Sequence, residues 1–400
     1  MMGLRGEAAI VGIAEWKPER RPTAPPMFTL EQWSQLTREA LDDAGIDPSE
    51  VDGICCTNIR ESDSFVPSTI AEYMGMQVNF AEVVDLGGAS CAAMVWRAAA
   101  AIELGLCNVV VIGAPSWPSP RPPVAPSGPS SWRYGASSAN YGSPQAEFDI
   151  PYGNVAQNCG YAQIAMKYGA EYGYDPEALA KIAVDQRVSA NHNPSAVFHN
   201  VPITIEDVLN SPMISDPIHM LEIVMPCVGG AAIVVAGKDV ARRSKHRPAW
   251  ISGFGERVLH KTPTYAEDML STALIPAADQ AFDMAGRSRE EVDLISVYDC
   301  YTITVLMTIE DAGFCPRGEG QPFVREHDLS FMGDFPCNTH GGQLGFGQAG
   351  LAGGMSHITE GARQVMRRGE DHQVPDADVA FITGNGGLMS EQVALILEGD

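Results

Sequence analysis

The chain has 400 residues, of which 45% are hydrophobic, and a formal net charge of −24 at pH 7. This length predicts two domains of ordinary size, or one domain that occurs twice. An acidic chain lacks the basic face that a nucleic acid or an anionic membrane surface requires, so we expect neither as a partner, whereas a few local dipoles would suffice for a small anionic ligand.

The nine cysteines and nine histidines indicate neither disulfide bonds nor a metal site. The cysteines form no CxxC pair and lie mostly in apolar runs, which is typical of reduced thiols. The histidines show no HExxH or similar spacing, so no metal is expected. We expect no signal peptide, and Arg97, Glu103 and Asn108 interrupt the most apolar window, which argues against a membrane span. We therefore predict a cytoplasmic protein.

The N-terminal part of the chain alternates predicted strands and helices. Residues 8–13 predict a strand, a helix begins near Thr29 and ends at Gly45, and residues 51–56 predict a buried strand. The stretch 83–105 continues with a strand, a Gly-Gly-Ala-Ser turn and an Ala-rich run that predicts a buried helix. Such a helix would present its N-terminal N–H groups to a negative charge in the interior.

A loop and helical insertion is expected at about 114–215. Residues 114–143 are rich in Pro, Ser and Gly, which predicts a long loop over a surface or a partner. Helices are predicted near 162–172 and 177–191, and a strand at 231–235 closes this half. The basic run 242–247 then predicts either a solvated linker or a docking strip for an anionic ligand or partner.

The decisive pattern is an internal repeat. Residues 40–45 and 50–54 match residues 281–286 and 291–295 at a constant offset of 241, and a predicted strand precedes each copy. The chain is therefore expected to contain two copies of a βαβ-type unit with helices on both faces of each sheet. We place the two halves at 1–243 and 248–400.

Several motifs together resemble the thiolase superfamily, in particular its sterol-carrier or lipid-transfer type. They lie at 83–105, 202–207, 211–217, 297–301, 338–342 and 384–387, and the resemblance covers essentially the whole chain. It implies an α/β protein with the thiolase fold, in which duplicated βαβαβαββ halves form a five-layer αβαβα arrangement. It also implies a homodimer.

The positions that perform thiolase chemistry are changed. In the family a cysteine opens the buried helix, a histidine lies in a GHP-like loop and a second cysteine lies in the C-terminal loop; matching places Gly88, Gln348 and Ile382 there. Glycine and isoleucine supply no thiolate, so covalent acyl transfer is lost. The resemblance implies that the backbone amides of Gly88 and Gly384 still form an oxyanion hole for a thioester enolate.

This pattern resembles the thiolase-like aldolases of steroid side-chain degradation. The shared motifs are GGAS, VYD followed by Cys-Tyr-Thr, GFC-x-x-GE and NTHGGQLG. The resemblance implies retro-aldol cleavage of a β-hydroxyacyl-CoA, a steroid side-chain thioester, into a ketone or aldehyde and a short acyl-CoA, without an acyl-enzyme or cofactor. It further implies a small OB-fold and zinc-ribbon partner chain, with zinc only in that partner, and a heterotetramer.

The same resemblance assigns the acid/base role to Tyr298. Some of these aldolases carry a second tyrosine at the position of Gln348, which here can only hydrogen-bond. The nearest titratable substitute as proton donor to the enolate is His340, with Asp299 to orient it. Each also has a structural interpretation: Tyr298 as a core residue, Asp299 as a cap of the turn or a residue that binds backbone amides, and His340 as a hydrogen-bonding residue of its loop.

Three alternatives stand beside the aldolase. Cys91 lies one turn beyond Gly88 at a helix N-terminus, which lowers a thiol's pKa, so it is a candidate shifted nucleophile of an acyltransferase, or else a small buried residue. A catalytically silent scaffold subunit is the second. A nicotinamide site at the GxGxxG of 345–350 is the third, but it is disfavoured because no strand is predicted directly before it.

Overall fold

The structure, a computed structural model, describes residues 3–120, 142–261 and 263–400. Most of the loop predicted at 114–143 lies outside the described residues. Its first residues do not belong to a loop, because the strand that precedes it continues to Ser116.

The first half contains the predicted alternation and a helical excursion. Its elements are β1 (Ala8–Glu19), α1 (Thr29–Ala44), β2 (Gly53–Cys56), α2 (Val66–Met74), β3 (Phe80–Val83), α3 (Ser90–Glu103), β4 (Val109–Ser116), α4 (Pro144–Phe148), α5 (Gln157–Tyr172), α6 (Pro176–His192), α7 (Ile205–Leu209), β5 (Met213–Ser215), β6 (Ile218–His219), β7 (Val228–Gly237) and α8 (Lys238–Ala241). Without the excursion from α4 to β6, this half has the predicted order βαβαβαββ.

The second half repeats this order, except that its third strand is reduced to a single β-bridge. Its elements are β8 (Ala249–Val258), α9 (Leu274–Ala285), β9 (Leu294–Ser296), α10 (Thr302–Asp311), α11 (Gly320–Glu326), α12 (Gly342–Gly345), α13 (Leu351–Val365), β10 (Val379–Gly386) and β11 (Glu391–Glu398). In place of a third strand there is a single parallel bridge between Ile295 and Cys337. The segment before α12 is therefore no strand, as the sequence predicts.

Nine strands form one sheet in the order β3-β2-β4-β7-β1-β8-β11-β10-β9. The two halves run outward from its centre in matching order, and they are joined only where β1 and β8 pair, through Ala9 with Trp250 and Ile10 with Ala249. Such a short junction lets the two halves of the sheet diverge and enclose other elements between them.

The core has three layers of helices around the two halves of the sheet. Trp33 and Leu36 of α1 pack on the outer face of the first half, and Phe282 of α9 packs on the outer face of the second. Between them, α3 and α13 share a third cluster with the inner faces of both halves. The predicted five-layer αβαβα arrangement of the thiolase fold is confirmed.

Two glycines show that the internal repeat is structural. A Cβ atom on Gly12 would lie 2.2 Å from the carbonyl oxygen of Ala40, and one on Gly253 would lie 2.2 Å from that of Ala281. Both glycines thus allow the first strand of a half to approach its first helix closely. Since these pairs are related by the offset of the sequence repeat, the repeat conserves a packing contact between strand and helix.

The basic run 242–247 makes ion pairs and a histidine–carboxylate hydrogen bond within the chain. Arg243 pairs with Glu50, His246 lies 3.1 Å from Asp43, and Arg247 lies 2.8 Å from Asp378. These contacts tie the linker to both halves, which favours the linker interpretation over the docking strip. None of the helices among the described residues is long and apolar enough to cross a membrane.

Candidate active site

Two glycine-rich segments meet at the N-terminus of α3. A short turn, Gly87–Ala89, leads into the helix, and the end of β10 lies against it. A Cβ atom on Gly384 would lie 2.9 Å from the Cα of Ala89, and one on Gly386 would lie 2.1 Å from the carbonyl oxygen of Leu86. Only glycine permits this approach, so the two segments that the sequence singled out do form one site.

The hydroxyl group of Tyr298 occupies the space that a side chain at position 88 would fill. A Cβ atom on Gly88 would lie 2.5 Å from both Cζ and Oη of Tyr298, and 2.4 Å from the carbonyl oxygen of Asn385. These distances are far below van der Waals contact. A cysteine at position 88 and a tyrosine at position 298 therefore exclude each other in this geometry, which gives the missing nucleophile a steric explanation.

Tyr298 follows β9, and hydrogen bonds fix both its backbone N–H and its backbone carbonyl oxygen. Its backbone N–H donates to Thr383 Oγ1 at 3.1 Å, and its carbonyl oxygen accepts from Thr304 Oγ1 at 3.2 Å. The side chain is 7% exposed. Burial raises the pKa of Tyr298 well above its usual value, and a hydrogen bond from Gln348 opposes this only in part. The phenol is therefore the resting form near neutral pH.

Gln348 reaches Tyr298 from a loop fixed through its backbone. Its N–H donates to the carbonyl oxygen of Met225 at 2.9 Å, and its carbonyl oxygen accepts from the N–H of Cys227 at 2.8 Å. Its Nε2 donates to Tyr298 Oη at 3.4 Å, a long hydrogen bond. Gln348 thus contacts the tyrosine as the hydrogen-bonder that the sequence analysis predicts.

Asp299 caps the turn that leads to the Gln348 loop. Its carboxylate accepts the N–H of Gln343 at 2.8 Å and that of Leu344 at 3.1 Å. The imidazole against it is that of His357, whose Nε2 lies 3.1 Å from Asp299 Oδ1, and both side chains are fully buried. The prediction that Asp299 orients His340 is therefore wrong, and the capping alternative describes its backbone contacts.

His340 packs against His357, the ring that contacts Tyr298. Its ring centroid is 5.3 Å from that of His357, which in turn is 5.9 Å from that of Tyr298. His340 Nε2 contacts Ser356 Oγ at 3.3 Å. Burial lowers the pKa of His340 to about 3. The imidazole is thus neutral near pH 7, and the geometry does not support His340 as the proton donor.

Cys91 is buried in the second position of α3. It is 1% exposed, and its Sγ contacts the carbonyl oxygen of Leu351 at 3.4 Å. Burial raises the pKa of the Cys91 thiol to about 12, the opposite of the lowering predicted from the helix N-terminus. Desolvation outweighs the helix dipole because the thiol is enclosed by the protein and has almost no contact with solvent. The structure thus favours the small buried residue over the shifted nucleophile.

The sequence analysis missed His357 and the polar residues that fix the end of β10. The side chain of Asn385 donates to Tyr161 Oη at 3.1 Å and accepts from Gln392 Nε2 at 3.1 Å. Tyr161 belongs to the helical excursion, which therefore supports the site. The available signal for His357 was its place as the one histidine in the run of residues that forms α13.

Among residues 3–120, 142–261 and 263–400, there is no group of three or more His, Cys, Asp or Glu side chains arranged to hold a metal ion. The donors that converge on the site are a phenol, an amide side chain and backbone N–H groups. Such a set suits the transfer of a proton and the binding of an oxyanion.

Comparison with known proteins places the chain in a family. Residues 255–399 match the thiolase C-terminal domain-like family. The chain is 30% identical over 414 residues to a steroid side-chain-cleaving aldolase of Thermomonospora curvata, covering all of both chains. It is 29% identical to the 17-hydroxy-3-oxo-4-pregnene-20-carboxyl-CoA lyase of Mycobacterium tuberculosis, covering 98% of this chain and 100% of that one.

The fold comparison agrees. A solved structure of the Ltp2-ChsH2(DUF35) aldolase superposes with a TM-score of 0.85 at 29% identity, covering 99% of each chain. The fold and the site define a thiolase-like protein whose nucleophile is replaced. The chain belongs to the thiolase superfamily and, within it, to the group of thiolase-like aldolases, which are carbon–carbon lyases.

Proposed function

We propose that the protein is an acyl-CoA retro-aldolase that cleaves a β-hydroxyacyl-CoA into a ketone or aldehyde and a shorter acyl-CoA. The relatives described above carry the names aldolase and CoA lyase, and both names refer to steroid compounds. We therefore propose the thioester of a steroid side chain as the substrate. An acyltransferase that uses Cys91 is disfavoured because that thiol is buried and protonated.

The observation that carries this proposal is the position of the Tyr298 hydroxyl. It fills the place where a thiolase side chain would attack, 2.5 Å from a Cβ atom on Gly88. A thioester bound against Gly88 would thus meet a proton donor and acceptor in place of a nucleophile. The replacement of a nucleophile by the Tyr298 hydroxyl suits a reaction that transfers protons without forming an acyl-enzyme.

One phenol suffices for the proton balance of the reaction. The electron pair of the Cα–Cβ bond becomes the enolate of the acyl-CoA, and the β-hydroxyl oxygen becomes the carbonyl oxygen of the ketone or aldehyde. Because burial keeps Tyr298 protonated, we propose that it passes its proton to Cα as it takes the hydroxyl proton. No net proton is gained or lost, so the second tyrosine that Gln348 replaces is not required.

The developing enolate oxygen needs hydrogen-bond donors, and we propose the backbone amides of Gly88 and Gly384 for this role. Their suitability follows from the close approach of β10 to the turn before α3, where a Cβ atom on Gly384 would lie 2.9 Å from Ala89 Cα. Fixed backbone donors at the N-terminus of a buried helix favour negative charge without reorganisation.

We propose further that the enzyme works with a partner. The name of the Ltp2-ChsH2(DUF35) aldolase joins two components, and by analogy a small OB-fold and zinc-ribbon chain would assemble here, with two copies of each forming a heterotetramer around a homodimer. The enzyme itself would need no cofactor and would act in the cytoplasm. A silent scaffold role is disfavoured because Tyr298 and both glycine segments are in place.

The test is release of acyl-CoA from a β-hydroxyacyl-CoA by the chain, alone and with its partner, followed by chromatography. Tyr298→Phe should lower kcat by about 10³-fold, within the range of general acid–base catalysis. Tyr168→Phe is the matched control, because this buried tyrosine bonds to Glu310 and not to the site. Release that persists in Tyr298→Phe, or no release from an intact wild-type complex, would refute the proposal.

A further inference from the structure

His357 is a buried residue with both ring nitrogens engaged. It lies in α13 and has no exposed surface. Its Nε2 lies 3.1 Å from Asp299 Oδ1, and its Nδ1 lies 3.2 Å from Ser296 Oγ. The side-chain Nε2 of Gln343 also lies 3.1 Å from the Nε2 of His357, so this ring nitrogen lies between a carboxylate oxygen and an amide group. At the other ring nitrogen the Ser296 hydroxyl is the hydrogen-bond partner, and together these contacts fix the orientation of the ring.

His357 is one of three nitrogen-bearing groups around a buried carboxylate. Asp299 receives two backbone N–H groups, from Gln343 and Leu344, and the Nε2 of His357 lies 3.1 Å from its Oδ1. A buried charge requires such donors, since an uncompensated one is costly in the interior. Without the imidazole, the carboxylate would move or draw in water, and the turn that it caps would shift.

The backbone of Tyr298 and the side chain of Gln348 both position the reactive hydroxyl, and both depend on the pair of His357 and Asp299. Asp299 is the next residue after Tyr298, and the turn that it caps, α12, ends three residues before Gln348. The Gln348 side chain donates to Tyr298 Oη at 3.4 Å. His357 also packs directly against Tyr298, with ring centroids 5.9 Å apart and planes inclined at 42°. The imidazole of His357 thus influences Tyr298 through the adjacent Asp299, through the turn that leads to Gln348, and by direct ring contact.

We propose that His357 is a positioning residue of this enzyme. Through Asp299 and through ring contact, it keeps the Tyr298 hydroxyl at Gly88. The inference rests on the proposed role of Tyr298. It predicts that His357 affects the rate of the chemical step more than substrate binding, because a displacement of about 1 Å at a reacting group costs roughly 100-fold in rate.

The experiment compares two substitutions of His357 in the full chain with its partner. In His357→Gln, the side chain keeps a polar nitrogen that can contact Asp299, whereas His357→Leu removes this nitrogen and keeps an apolar volume. We expect His357→Leu to lower kcat by about 100-fold with KM changed less than about threefold. His357→Gln should stay within about tenfold of the wild-type kcat, because it keeps the polar contact with Asp299 but not the ring.

His372→Gln is the matched control. His372 is another mostly buried histidine that pairs with a carboxylate, Glu360 of the same helix α13, at 3.4 Å. It has no ring contact with Tyr298 among the described residues. This control should lower the melting temperature and leave kcat per folded enzyme unchanged.

Should His357→Leu fail to fold, Asp299→Asn tests the same pair from the other side, and its kcat should also fall with little change in KM. The inference is overturned if Tyr298→Phe is inactive while His357→Leu or Asp299→Asn retains kcat. It is also overturned if His357→Gln is as slow as His357→Leu, or if every loss of kcat follows the melting temperature as in His372→Gln. Retention of activity in Tyr298→Phe would instead refute the proposed function.

Discussion

Adding a single methyl group at Gly88 should separate the present chemistry from that of a thiolase. In Gly88→Ala the new Cβ atom would lie 2.5 Å from Tyr298 Oη and 2.4 Å from the carbonyl oxygen of Asn385. Both are about 1 Å shorter than an ordinary contact, which lies at about 3.5 Å. The obstacle on one side is backbone, so the side chain of Tyr298 must yield.

The expected magnitude follows from this overlap. A displacement of the hydroxyl by about 1 Å lowers kcat by about 100-fold, which corresponds to about 2.7 kcal/mol in the activation free energy. Overpacking of the site should lower the free energy of unfolding by about 1–3 kcal/mol. Gly88→Cys should behave in the same way and form no acyl-enzyme, because the thiol has no room to approach a thioester.

The assay combines acyl-CoA release with thermal unfolding, and intact-protein mass spectrometry detects an acyl adduct on Gly88→Cys. Gly12→Ala is the control for steric overlap, since its Cβ atom would lie 2.2 Å from the carbonyl oxygen of Ala40, in the contact between β1 and α1. It should destabilise the fold but keep kcat per folded enzyme. A wild-type kcat in Gly88→Ala, or an acyl adduct on Gly88→Cys, would refute the steric argument.

Two further predictions concern buried titratable groups. Cys91→Ala should keep the wild-type kcat. Iodoacetamide should react with Cys91 in the native enzyme far more slowly than with a free thiol, because burial raises the pKa of the Cys91 thiol to about 12. Loss of activity in Cys91→Ala would instead support Cys91 as a nucleophile. Burial lowers the pKa of His340 from 6.5 to about 3. Between these two pH values the unfolded chain binds a proton that the native state does not. The free energy of unfolding should therefore fall as the pH falls through this range. The slope from this group is at most about 1.4 kcal/mol per pH unit. It should be measured by urea unfolding down to pH 4.5, the ordinary pKa of Glu360. Below this pH that carboxyl also contributes, because His372, His340 and the hydrogen bond from Thr339 together outweigh its burial and lower its pKa. His340→Asn should flatten the slope, and an unchanged slope would contradict this assignment.

The sequence by itself determined the fold and the nature of the change at the site. The repeat at an offset of 241 residues predicted two equivalent halves, since helix periodicity, glycine helix ends and buried strands are local properties that a sequence displays directly. Motif matching also placed glycine where thiolases carry a nucleophile, and it selected Tyr298. These inferences needed residue identity and spacing, and no knowledge of which side chains meet.

Only the tertiary structure decided which groups act together. Asp299 pairs with His357 and not with His340, because α13 brings that imidazole against the carboxylate from a distant part of the chain. Cys91 has a raised pKa although it opens a helix, because desolvation depends on everything packed around the thiol and outweighs the local dipole. Likewise, the sequence predicted that Gly88 lacks a nucleophile and supplies a backbone amide to an oxyanion hole. The packed structure adds the reason, since the hydroxyl of Tyr298 occupies the space that a side chain there would need.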